Sequence, residues 1–173
     1  MSGESAADSG PNTPEGIYER LFGGSGSEVA ARGGGARSQA TSRRVLAVIW
    51  ATVDRDRVLA DLEVAAIWLA DDPHLGASVG LVRRAESDPI AILEPLTEGR
   101  LAASLARHGE GPAGEYVEAP IGLEAVGAAA ARAGLVVSRP ADGPFGRSVI
   151  VLSGPVGGPH LVLVERAAGT IGR

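Results

Sequence analysis

Few side chains in this sequence can do chemistry. His74, His108 and His160 are the only imidazoles, cysteine is absent, and all 16 basic residues are arginine. Thiolate nucleophiles, thiolate metal sites, disulfides and Schiff-base lysines are thereby excluded. Acid–base work falls to histidine, carboxylates and tyrosine. His160 opens the apolar run HLVLV, Tyr116 and Glu118 stand two apart in GEYVEAP, and Trp50 and Thr52 stand two apart in VLAVIWATV. A spacing of two puts each pair on one face of a strand. If those faces meet, they bring together an imidazole, an acid, a phenol and an indole. Glu94 and Glu165 each close a last strand and read as solvated ends. His74 reads as an exposed turn residue, and His108 as a cation suited to a helix C-terminus.

The elements that must position these residues follow from composition and pattern. Aromatic residues make up 3% and hydrophobic residues 45%, so the core is built from Val, Leu, Ile and Ala. The 173 residues read as one domain once the first forty or so are set aside. A net charge of −5 and scarce aromatics argue against nucleic-acid binding. No apolar run approaches a membrane span and no h-region opens the chain, so a cytoplasmic protein is expected.

Residues 1–43, with GGSGS and GGG inside them, are expected to be disordered. Within them TPEGIYERLF carries a Thr13 cap, Pro14 at the first helical position and i,i+4 apolar pairs. It reads either as a transient helix or as a docking motif. The folded domain spans 44–173 and holds two modules, 45–95 and 112–166. Each reads β-α-β-β-β, with LVVSR as a strand, ADGPFG as a turn and PVGG as a turn in the second. Between them ILEPLTEGRLAASLARHGEG supplies a strand end, a helix capped by Thr97, and Gly109 as its stop.

These stretches also resemble a known family. LEPL, a short helix and HGEG are similar to the mid-chain connector of the vicinal oxygen chelate (glyoxalase and bleomycin-resistance) superfamily, and within it of the methylmalonyl-CoA epimerases. VDRDRVLADL is similar to the family's first strand-to-helix turn, and GRSVIVLSGPVGGPHLVLVE to its last two strands. The resemblance covers about Val45 to Arg166. It implies an α+β fold in which two βαβββ modules pair around a cleft. The internal repeat points the same way.

In that family His, Glu or Gln side chains from four strands hold a divalent metal in the cleft. The corresponding positions here are Val48 (or Ala47, with the turn gapped differently), Ala91, Gly114 and Val162, none of which binds a metal. The resemblance therefore implies a cleft with no metal and no cofactor. On the same alignment His160 shares the side of Val162, Tyr116 and Glu118 that of Gly114, and Trp50 and Thr52 that of Val48. Trp50, Thr52 and Tyr116 would then line the ligand, with His160 and Glu118 as the acid–base couple of an enzyme. Three functions follow: a metal-free protein that binds or sequesters a small hydrophobic molecule, an isomerase or lyase acting on an acyl-CoA or polyketide-like acid, or a non-catalytic interaction domain. Whether the chain is an enzyme stays open. The resemblance further implies a homodimer.

Overall fold

Apolar alternation and turn chemistry produce eight strands and four helices among the described residues. The structure is a computed structural model that describes residues 10, 12–23, 43–83, 85, 87–153 and 158–165. Helix α1 (Pro14–Phe22) begins where the Thr13 hydroxyl accepts from Gly16 N–H at 3.2 Å, with Pro14 as its first residue. The first module follows as β1 (Val45–Ala51), α2 (Arg55–Asp61), β2 (Ile67–Trp68), β3 (Ala77–Val82) and β4 (Ile90–Pro95). Asp54 caps α2 by accepting from Arg57 N–H at 2.9 Å. Helix α3 (Arg100–His108) then leads to the second module: β5 (Gly111–Glu118), α4 (Leu123–Arg132), β6 (Ala141–Gly143), β7 (Gly146–Ile150) and β8 (His160–Val164).

All eight strands form one sheet in the order β2-β3-β4-β1-β5-β8-β7-β6. Each half repeats the other. The first and last strands of a module lie side by side in parallel, β1 with β4 and β5 with β8. Antiparallel pairing of β1 with β5 joins the halves. This is the paired βαβββ, α+β architecture that the sequence pattern predicts.

Three local expectations are revised. The cap of α3 is Gly99, without a side-chain bond, and Thr97 stands two residues earlier. In the second module ADG is strand β6, and LVVSR contributes only a bridge from Val137 to Val151. The helix of TPEGIYERLF is formed and packed: Ile17, Tyr18 and Leu21 are buried against α4 and the outer face of β8. Its i,i+4 apolar pairs find a surface of Leu123, Val126, Ala130, Leu161 and Leu163 to cover. The PVGG turn lies largely outside the described residues.

The apolar residues gather on two sides of the sheet. One cluster fills the space enclosed by the modules, and the other lies between the second module and helices α1 and α4. Strand β8 separates them and is buried on both faces, which explains its unbroken apolar run.

Candidate functional site

The inward face of the sheet is aliphatic. Ala47, Ile49 and Ala51 from β1, Val79 and Leu81 from β3, and Ala91 and Leu93 from β4 meet Tyr116, Ile150, Val162 and Val164 of the second module. Leu75 and Leu101 fill the space between them, and Phe145 packs against the same cluster. Ala47, Ala91 and Val162 expose none of their surface, so no water-sized space remains beside them. The cleft is closed.

What closes it is the turn after β2, DDPHLG. Asp72 pairs across the turn with Ala77, and its Oδ1 accepts from the N–H groups of His74 (2.7 Å) and Leu75 (2.9 Å). This tight geometry is the one an aspartate two residues before a loop donor favours. The turn then reaches the other module. His74 Nε2 lies 3.0 Å from the Ser148 carbonyl of β7, His74 Nδ1 lies 3.3 Å from Ser138 Oγ, and Tyr116 donates to Asp72 Oδ2 at 2.6 Å. Residues 71–76 are thus a strap from one module to the other. His74, expected to be merely exposed, is one of its fastenings.

Among the buried polar side chains, Asp72 and Tyr116 meet inside, and His160 stands two residues along β8 from Val162, the partner of Tyr116, within reach of the Asp72 charge; each exposes 2% or less. Burial, with the Asp72 charge and hydrogen bond beside it, pushes the Tyr116 phenol up. Burial, reinforced by the nearby Arg100 charge, lowers His160 to about 4, against a hydrogen bond to the Arg100 carbonyl and the charge of Asp72. The imidazole is therefore neutral at pH 7. Its Nε2 is buried and has no hydrogen-bond partner among the described residues. A buried acceptor left unmade costs about 1–3 kcal/mol.

The residues expected to share one pocket divide. Tyr116 and His160 face inward, as alternation predicts. Trp50 does not. Ile49 and Ala51 belong to the inner cluster, so alternation turns Trp50 outward. The β1–β5 register shifts between Val45 and Ala47 and again between Ile49 and Trp50, yet Ala47, Ile49 and Ala51 alternate regularly on the inner face. The inward first-strand position is accordingly Ala47 rather than Val48. Thr52 is buried but committed: its hydroxyl donates to Glu110 Oε1 at 2.5 Å. Glu118 accepts from Arg44 at 2.9 Å. In the β5–β8 register His160 pairs with Gly114 and Glu118 with Val164, a separation of about 13 Å along the strands. His160 and Glu118 cannot share a proton.

Position 114 has a further property. A Cβ there would overlap the backbone of His160, so β5 and β8 approach too closely for any side chain. Among the described residues, no three of His, Asp and Glu gather where they could hold a metal ion.

Two partners escaped the sequence reading. Glu110, the acid of HGEG, accepts from Thr52, from Val53 N–H at 3.0 Å and from Arg57 at 2.5 Å. Those bonds, the Thr52 hydroxyl first, hold its carboxyl down at about 2. Its role is to fasten the connector to the β1–α2 turn. Asp72 stands in the turn sequence DDPHLG. An acid followed at once by proline in an Asp-Asp-Pro sequence signals a turn, and nothing local signals its long-range contact with Tyr116.

No family model matches the chain, and no curated protein matches it. Solved structures do. They include a hypothetical protein from Bacillus halodurans C-125 (TM-score 0.58, 19% identity, covering 75% of this chain and 98% of that one). A methylmalonyl-CoA epimerase from Streptomyces coelicolor, in complex with 2-nitronate-propionyl-CoA, has TM-score 0.58 and 20% identity, covering 72% and 98%. The epimerase from Mycobacterium tuberculosis has TM-score 0.58 and 19% identity, covering 72% and 89%. At such identities the likeness speaks for the backbone alone, and it establishes that this chain has the glyoxalase-like fold of paired βαβββ modules.

Proposed function

We propose that the chain binds a small, largely apolar molecule between its two modules, without a metal ion and without turning it over. The observation that carries this reading is the burial of Asp72, Tyr116 and His160 in an otherwise aliphatic interior. An apolar lining with a few convergent polar groups is the composition of ligand sites, and one of these groups still lacks a partner. Ala47, Ala91, Gly114 and Val162 offer no metal ligand. The separation of His160 from Glu118 supports binding over turnover. An acyl-CoA ligand has the weaker support of the solved complexes, in which epimerases of this fold hold such molecules. A ligand enters when the strap at 71–76 lifts. The protein works as a homodimer in the cytoplasm.

One observation favours a different reading, a non-catalytic interaction domain: the inward face is fully packed. Calorimetry and amide chemical shifts separate the two. Binding of neutral aromatic or acyl probes at one site per chain, with shifts at Ile49, Tyr116 and Val162, is expected. Absence of saturable binding, or shifts confined to the outer surface around Trp50 and Trp68, would leave the interaction domain standing.

A further inference from the structure

We propose that the ligand of this site is a neutral apolar molecule bearing a hydrogen-bond donor, a hydroxyl or an N–H, and that His160 Nε2 receives it. This rests on the small-molecule reading above and adds a requirement that the reading does not contain.

The requirement comes from tallying the donors and acceptors inside. A ring N–H of His160 donates to the Arg100 carbonyl. Since Nε2 is the nitrogen without a partner, the bonded one is Nδ1, and in the neutral ring it carries the proton. Nε2 is then a bare lone pair. The other two inward polar groups are satisfied by each other and by backbone. The Tyr116 proton goes to Asp72 Oδ2, and Asp72 Oδ1 takes the His74 and Leu75 N–H groups. Of these three groups only His160 Nε2 is left without a partner, and what it lacks is a donor.

Two opposite charges act on the imidazole. Arg100 at the start of α3 opposes its protonation and Asp72 on the strap favours it. A carboxylate would bring acceptors to a lone pair and a second negative charge near Asp72. A neutral hydroxyl or amide N–H meets neither penalty. The position is set by the backbone: His160 stands at the first residue of β8, and a Cβ on Gly158 would approach Nε2 to 3.3 Å, so the nitrogen lies close against the Gly158 backbone.

Three probes of one shape test the requirement with the full chain: 1-naphthol, which donates, 1-methoxynaphthalene, which cannot, and 1-naphthoate, which is anionic at pH 7. Naphthol is expected to bind about ten-fold tighter than the ether, one hydrogen bond's worth, and naphthoate more weakly than either. His160→Phe is expected to erase the naphthol advantage, so that naphthol and the ether bind that variant alike. Should that variant not fold, the ¹⁵N resonance of His160 in the unaltered protein gives the same answer. Nε2 is expected to shift upfield, as an acceptor gaining a donor, with naphthol and not with the ether. Equal affinities for all three, or tightest binding of naphthoate, overturn the donor requirement alone. Failure of all three to bind overturns the cleft reading and this inference with it.

Discussion

Tyr116 of the second module donates its phenolic hydrogen to Asp72 of the first at 2.6 Å, and both groups are shut off from solvent. This bond ties the strap to the sheet it covers. Tyr116→Phe keeps the ring that packs 4.7 Å from Phe145 but leaves a buried carboxylate oxygen without its donor. A loss of about 1–3 kcal/mol is expected in urea unfolding. Asp72→Asn in the same chain should recover part of it, and additive losses would show that the two residues act separately.

His160 gives stability a definite pH dependence. Its folded value, about 4, lies below its ordinary 6.5, so between those limits the unfolded chain binds the extra proton. Stability is fully present above pH 6.5, falls as the pH drops toward 4, and levels off below that. The full shift corresponds to about 3 kcal/mol. His160→Gln should flatten the profile from pH 6.5 to 4.5, and an unchanged slope there would place the titration elsewhere.

Glu110 acts at lower pH, with the same sign: unfolding takes up a proton there too. Its carboxyl is held at about 2 by Thr52, Val53 N–H and Arg57, so its contribution is present above the ordinary carboxylate range and is lost as the pH falls through 2. Glu110→Gln should lower the melting temperature at pH 7 and converge with the parent below pH 2. A parallel offset at every pH would mean that shape, rather than charge, matters at this position.

The docking of α1 has a measurable consequence as well. Leu21 is buried with Ile17 and Tyr18 against α4 and β8. Leu21→Ala should cost about 2 kcal/mol, the low end for a buried leucine because a short surface helix can shift into the gap. Removal of residues 1–23 should lower the melting temperature too. An unchanged melt would mean that α1 contributes nothing to the fold.

Treatment with EDTA should leave the melting temperature unchanged, since no set of ligands at Ala47, Ala91, Gly114 and Val162 links metal binding to stability. Elemental analysis that finds one divalent ion per chain would contradict this.

How much of this was legible in the sequence depended on the range of the interaction. The two modules were readable because alternation, capping and glycine stops are local signals. Gly109 does end α3, with φ at 75°. The sides of Tyr116 and His160 followed from alternation within regular strands. Trp50 came out on the wrong face because its side was taken from Val48 rather than Ala47, and in an apolar run such as VLAVIWA nothing local says which alternate set points inward. The helix at Pro14–Phe22 was readable, but its docking depended on an apolar surface made by α4 and β8 far along the chain. Asp72 and Glu110 were missed for the same reason. Their partners lie 44 and 58 residues away, and a turn acid with a distant partner looks like any other turn acid.

The two helices that back the sheet are not equivalent. Four residues of α4 are buried, whereas α2 buries none. At its edge of the sheet β2 is two residues long, with Ile67 and Trp68 exposed by 54% and 55%. Arg55 lies over the Trp68 ring at 4.2 Å and donates to Ser78, which leaves α2 held mostly by polar contacts. Amide hydrogen exchange should therefore run fastest through α2 and β2 and slowest through β8, so that the first module frays from its outer layer while the second stays closed. The strap begins immediately after β2, so the element that seals the interior hangs from the part of the fold that opens most readily.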